Sequence, residues 1–469
     1  MTITLGTVDI IIIVAFFAAV IAVGRLSKKS DATHTSYLVA GRAITLPAFV
    51  ATLVSSFYGG ILGIGEFTYR YGISSWFLNA FPYYLFITIF AIFLSGKVRR
   101  TKLYTIPDKL MLAYGKPVSI TGAVLIFFLI TPAPYVFMLG IIFQLIFKTS
   151  LFVSMLICIL ISISFLYKGG LNADVKVNIL EFIMMYLGFG IILPFCFMAY
   201  GGPQFLTDNL KPEFLILTGG KSAQFIIVWF FIGLWAIVDP TFHQRCYAAK
   251  SEKTARTGVF ISLIFWIIFD LMTTTAGLYA AGSIKHLDNP AMSYPVLADN
   301  VLPQVAKGFF YVGMLATILS TLHSNLFISA TTIGRDIIGN FRNGKTDDKN
   351  YYSKLGIIIA SAVSLCIPLF IPSVVDMWYT LGTITIPGLL VAVVSSYFLK
   401  LKINSKFILI SMIGSAMVSL IWLLIGIINK SSEGNIYPFG IEPLYPGLIV
   451  GMLFYFIGFV IKLRIKEKD

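Results

Sequence analysis

Mostly apolar runs of about 20 residues recur thirteen times along this chain. They lie at approximately 8–25, 44–71, 74–97, 117–146, 149–167, 174–199, 222–243, 254–285, 302–335, 352–371, 373–399, 404–428 and 442–463. Each has the length that a helix needs to cross a bilayer. Strands of a membrane barrel would alternate over about ten residues, and that pattern is absent. The reading is an all-α membrane protein of about thirteen transmembrane helices. Only short loops remain between the runs, so no separate soluble domain fits. Charged residues make up 12% of the chain, against roughly 25% in a soluble domain. A water-soluble enzyme is thereby excluded.

The net charge of +14 is explained by placement. With residue 1 outside, 28 of the 35 basic residues fall on cytoplasmic segments. This is the positive-inside pattern. It predicts an outside amino terminus, an inside carboxyl terminus and a cell inner (plasma) membrane location. The expected partner of the basic loops is anionic lipid, not nucleic acid. The first run has no basic residue before it and Arg25, Lys28 and Lys29 after it. That order is the reverse of a secretory signal, so it is read as a retained helix. Four scattered cysteines give no disulfide framework and no zinc site. No P-loop, HExxH pair, arginine-rich span or potassium-filter sequence occurs. A secondary transporter is the default left.

Two runs are unusual. The second contains Tyr58-Gly59-Gly60-Ile61-Leu62-Gly63-Ile64-Gly65. Glycines at this density weaken a helix. Either the helix is broken and its freed carbonyls face a cation, or Gly59 and Gly63 allow close helix packing. The ninth run places Thr317, Ser320, Thr321 and Ser324 at i, i+3, i+4 and i+7. They share one face. Their oxygens suit a small hard cation, or they bond back to their own helix. Ionisable residues inside spans are Glu66, Glu181, Asp239, Asp270 and Asp376. Each is costly in lipid and marks a functional candidate. Asp270 has no basic neighbour in sequence, which leaves a proton carrier, a substrate contact or a partnered structural carboxylate. Asp239 is expected to pair with Arg245. His323 is read as a packed side chain.

Four local patterns resemble the sodium:solute symporter family. They are Gly41-Arg42 leading to Tyr69-Arg70-Tyr71-Gly72, Gly169-Gly170-Leu171-Asn172-Ala173, Gln244-Arg245-Cys246-Tyr247-Ala248-Ala249-Lys250-Ser251, and Leu319-Ser320-Thr321-Leu322 before Arg335-Asp336. The resemblance implies a LeuT-type fold of two five-helix inverted repeats. Residues 1–43 would hold an extra helix and loop, 44–199 the first repeat, 200–400 the second, and 401–469 two extra helices. The second and seventh runs would be the paired broken helices. The family's common sodium site falls on the carbonyls of Ser55 and Tyr58, with Thr317, Ser320 and Thr321 supplying one carbonyl and two hydroxyls.

By the same resemblance, Na⁺ is the coupling ion and a small polar organic solute is the cargo. Its candidate contacts are Phe57, Gly59, Gly60, Asn79, Tyr135, Trp229, Asp270 and Trp378. Where members with a second sodium have an Asp, this chain has Asn178, and the usual Gln is Glu181. One Na⁺ per cycle is therefore expected. The functional unit is expected to be a monomer. The alternatives are proton coupling through Asp270 or Glu66, a non-transporting solute sensor, or a passive channel.

Overall fold

The computed structural model describes residues 4–26, 34–340, 349–430 and 435–466. Among the described residues, helices dominate, and the β structure is an isolated bridge between Ile44 and Ala249. Among the described residues, ten helices are long and apolar enough to cross a membrane. A bent pair, Leu46–Phe57 and Ile61–Tyr71, makes an eleventh span with a 56° angle at its break. The two other expected runs fall on shorter apolar stretches, Leu151–Ser164 and Leu355–Phe370.

The first of these belongs to a helical run from Leu151 to Tyr200 that is bent at Gly170, where φ is 56°. A side chain there would also strike Tyr37, whose ring and carbonyl lie 2.6 Å from the position of a Cβ. Glycine meets both demands. The Gly-Gly-Leu pattern is thus a single-residue kink at Gly170.

Outer helices present apolar side chains outward. On Ser405–Ile428, Ile410, Ile413, Met417, Ile421, Leu424 and Ile428 recur at helical spacing and are exposed. A face of this kind is matched to lipid, not water. The inner helix Ala306–Thr331 is the opposite case, because its apolar window is wholly buried. Gly188 and Gly313 bring the Leu151–Tyr200 helix against it. A Cβ on Gly188 would lie 2.6 Å from the Gly313 Cα, so this is a small-residue contact of the membrane type.

Asp9 fixes the amino-terminal end of the same inner helix. Its Oδ1 accepts from the amides of Val305 and Gly308 at 2.9 Å. A carboxylate there satisfies amides at a helix start that no helical turn can reach.

The seventh run is also interrupted. Ala223–Ile232 ends, a short turn Trp235–Val238 follows, and Asp239 is extended before Pro240–Ala248. Asp239 caps the last segment: its Oδ1 accepts from the Thr241 amide at 2.6 Å. Pro240 takes the first helical position, where no amide proton is needed.

Candidate functional site

The second run is both broken and tightly packed. Leu46–Phe57 ends at Tyr58, and Ile61–Tyr71 starts after Gly60. Neither Gly59 nor Gly60 has positive φ. They are required by contact instead. A Cβ on Gly59 would lie 2.3 Å from Thr321, and one on Gly60 would lie 2.1 Å from the Trp378 ring. The two readings of the glycines therefore merge: the break allows the approach.

At this break the predicted cation ligands meet. Ser320 Oγ donates to the Ser55 carbonyl at 2.8 Å, and Thr321 Oγ1 donates to it at 3.1 Å. Ser320 Oγ also contacts the Thr317 carbonyl at 3.0 Å. The hydroxyls of Ser55 and Thr317 bond back to Ala51 and Gly313. Those two residues are left to contribute through their carbonyls. All of these side chains are buried. Tyr58 stands at the end of the helix, beside them in sequence.

The donor set is made of neutral oxygens. Among the described residues, no group of three or more His, Cys, Asp or Glu could hold a metal ion. Neutral hard oxygens suit a weakly held monovalent cation better than a tightly held divalent one.

Beside the break lies a cavity of about 110 Å³. A water needs roughly 10–15 Å³ on this measure, so the space suits a small organic solute. Phe57, Gly60, Asn79, Tyr135, Trp229, Asp270 and Trp378 line it, together with Tyr58 and Thr321. Gly59 does not. It faces Thr321 and Tyr135 across the break.

The sequence reading missed Ser56, Tyr83, Tyr84, Thr241, Trp266 and Asn325, which also line the cavity. Two of these had a signal: Asn325 lies one helical turn after Thr321, and Trp266 one turn before Asp270. Tyr83 and Tyr84 had none.

Asp270 is held by tyrosines. Tyr58 Oη donates to its Oδ1 and Tyr84 Oη to its Oδ2, both at 2.5 Å. Trp266 Nε1 donates to the Val54 carbonyl at 3.2 Å, which pins its ring against the broken helix. Phe57 packs edge-on against Trp266 and Phe242, with centroids 5.3 and 4.9 Å away.

Arg245 does not pair with Asp239. Asp239 is engaged by the Thr241 amide and by Trp235 Nε1. Its role as a helix cap turns it away from the arginine. Arg245 instead meets Asp174, one helical turn before Asn178. Its Nη2 lies 2.7 Å from Asp174 Oδ2 and 2.8 Å from Ser324 Oγ. Asn178 Nδ2 donates to Thr52 Oγ1 at 2.8 Å and to Asp174 at 3.2 Å.

Glu181 is wholly buried 3.6 Å from His323 Nδ1, so His323 is packed as expected. Glu66 pairs with Arg70 at 3.0 Å. Asp376 is exposed in the first turn of Val374–Tyr397, not within the span core, because its helix begins there.

A family model described as the sodium:solute symporter family matches residues 37–414. An uncharacterised symporter of Escherichia coli (strain K12), YidK, is 24% identical over 384 residues, which cover 75% of this chain and 66% of the relative. The sodium/pantothenate symporter of the same organism is 25% identical over 301 residues, covering 62% of this chain and 60% of the relative. The matched region thus spans less than two thirds of either curated relative. A solved structure of a Na⁺-coupled sialic acid symporter in a substrate-bound outward-open state matches with a TM-score of 0.79 at 16% identity. That match covers 96% of this chain and 98% of the other. It shows the fold, the LeuT-type helical architecture.

Proposed function

Because this chain belongs to the sodium:solute symporter family, we propose that it imports a small polar organic solute with Na⁺ by alternating access. The observation that carries this reading is the convergence of the Ser320 and Thr321 hydroxyls on the Ser55 carbonyl at the rim of the aromatic cavity. Na⁺ would bind there, between the carbonyls of Ser55, Tyr58 and Thr317 and those two hydroxyls. Bound Na⁺ ties the broken helix to the buried helix and favours the state that accepts solute. The solute then fills the cavity, and the helix bundles rock to expose it to the other side. Neutral ligands hold the ion only moderately, so it leaves on the cytoplasmic side. The membrane potential contributes about 2.3 kcal/mol per charge per 100 mV.

One Na⁺ per cycle is the stoichiometry proposed. Asn178 stands where a second site would want a carboxylate. The nearby Asp174 and Ser324 oxygens are taken by the Arg245 guanidinium. The Lys and Arg bias supports an outside amino terminus and a cytoplasmic carboxyl terminus. The proposed repeats are 44–199 and 200–400, flanked by 1–43 and 401–469. The working unit is proposed to be a monomer in the cell membrane, with anionic lipid at its basic loops.

Uptake into proteoliposomes tests this reading. Accumulation above the external level, driven by a Na⁺ gradient and absent with K⁺, is the expected result. Uptake that ignores Na⁺ and collapses with a protonophore would place coupling on Asp270 and refute the sodium reading. Equilibration without accumulation would point to a passive channel.

A further inference from the structure

We infer that the solute carries a positively charged nitrogen, held by an aromatic cage with two carboxylates. The inference rests on the symport reading for the nearby Na⁺. Three observations support it independently of that ion.

The first is charge. Asp239 and Asp270 line the cavity, and no lining residue is Lys, Arg or His. Both oxygens of each carboxylate accept hydrogen bonds: Asp270 from Tyr58 and Tyr84, and Asp239 from Trp235 and the Thr241 amide. These carboxyl oxygens are the strongest acceptors on the cavity wall. A positively charged nitrogen would find carboxyl oxygens there and no competing cation, whereas an anionic group would find no cationic side chain. Buried charge without a partner is costly.

The second is surface. Nine lining residues are aromatic, and four of them are Trp229, Trp235, Trp266 and Trp378. Aromatic faces attract cations, tryptophan most strongly, and cages of this kind recognise ammonium groups.

The third is the set of polar atoms left without partners. Ser56 Oγ and Trp229 Nε1 are buried, line the cavity and have no hydrogen-bond partner among the described residues. An indole N–H only donates. It suits an oxygen acceptor on the same solute, such as a hydroxyl or carboxylate. The class is thus a small organic ammonium compound with one oxygen-bearing arm.

Thermal unfolding of the purified chain tests the inference. The probes are tetramethylammonium, choline, L-proline, myo-inositol and pantothenate at millimolar concentration, each in Na⁺ and in K⁺. Stabilisation by at least one of the first three, and by neither of the last two, is expected. Asp270→Asn should raise the dissociation constant of the stabilising probe about tenfold or more. Stabilisation by Na⁺ alone shows that the variant is folded. Should it not fold, Trp229→Phe replaces it: the preference for choline over tetramethylammonium should fall. Stabilisation by myo-inositol or pantothenate, or by none of the three ammonium-bearing probes, overturns the inference. If the bound probe acts equally in Na⁺ and K⁺, the symport reading fails instead.

Discussion

The Thr321 side chain sits where a Cβ on Gly59 would have to be, 2.3 Å away. This contact joins the broken helix to the buried helix at the proposed sodium site. Gly59→Ala must push Thr321 away from the Ser55 carbonyl. The expected outcome is at least about a tenfold rise in the Na⁺ concentration for half-maximal uptake, in line with loss of a charge-assisted oxygen contact. A sodium titration of uptake measures it.

Gly60→Ala acts on a different partner. Its Cβ would lie 2.1 Å from the Trp378 ring, on the cavity side. Solute affinity should fall more than sodium affinity. Comparing the solute and Na⁺ titrations of the same variant checks the difference.

The hydroxyl face separates into ligands and bystanders. Ser320→Ala and Thr321→Ala each remove an oxygen that faces the Ser55 carbonyl. Each should raise the half-maximal Na⁺ concentration about tenfold or more. The Thr317 hydroxyl bonds to the Gly313 carbonyl at 2.7 Å, and its proposed contribution is its own carbonyl. Thr317→Val should therefore leave sodium dependence near wild type. A Thr317→Val defect equal to that of Ser320→Ala would contradict the assignment.

The Asp174–Arg245 pair is wholly buried. Removing one partner strands a charge. Arg245→Ala should destabilise the protein by about 3–5 kcal/mol. The double variant Asp174→Asn with Arg245→Gln should recover a large part of that loss. Unfolding of the wild-type protein and the two variants in detergent gives the comparison.

Much of this arrangement was legible in the sequence, for a physical reason. Apolar run length answers to the bilayer, which acts on every span alike. The helical period set Ser320 and Thr321 on one face, and the same period reaches Asn325. Contacts between distant segments were not legible. Asp239 before Pro240 did carry a local cap signal, but nothing local to Arg245 says that it reaches Asp174, 71 residues away in the chain. Tyr58 and Tyr84 are likewise tied to Asp270 only by tertiary packing. The role of Gly59 was half legible: its density with Gly60 and Gly63 marked a weak helix, but its need to clear Thr321 depends on the partner helix.

The most direct measurement is a sodium-binding isotherm of the purified chain, made without solute. The account predicts saturable binding of one Na⁺ by the wild-type protein, with K⁺ unable to compete. It predicts loss of that binding when Ser320→Ala and Thr321→Ala are combined, in a protein that remains folded. Undiminished sodium binding by the double variant would contradict the account.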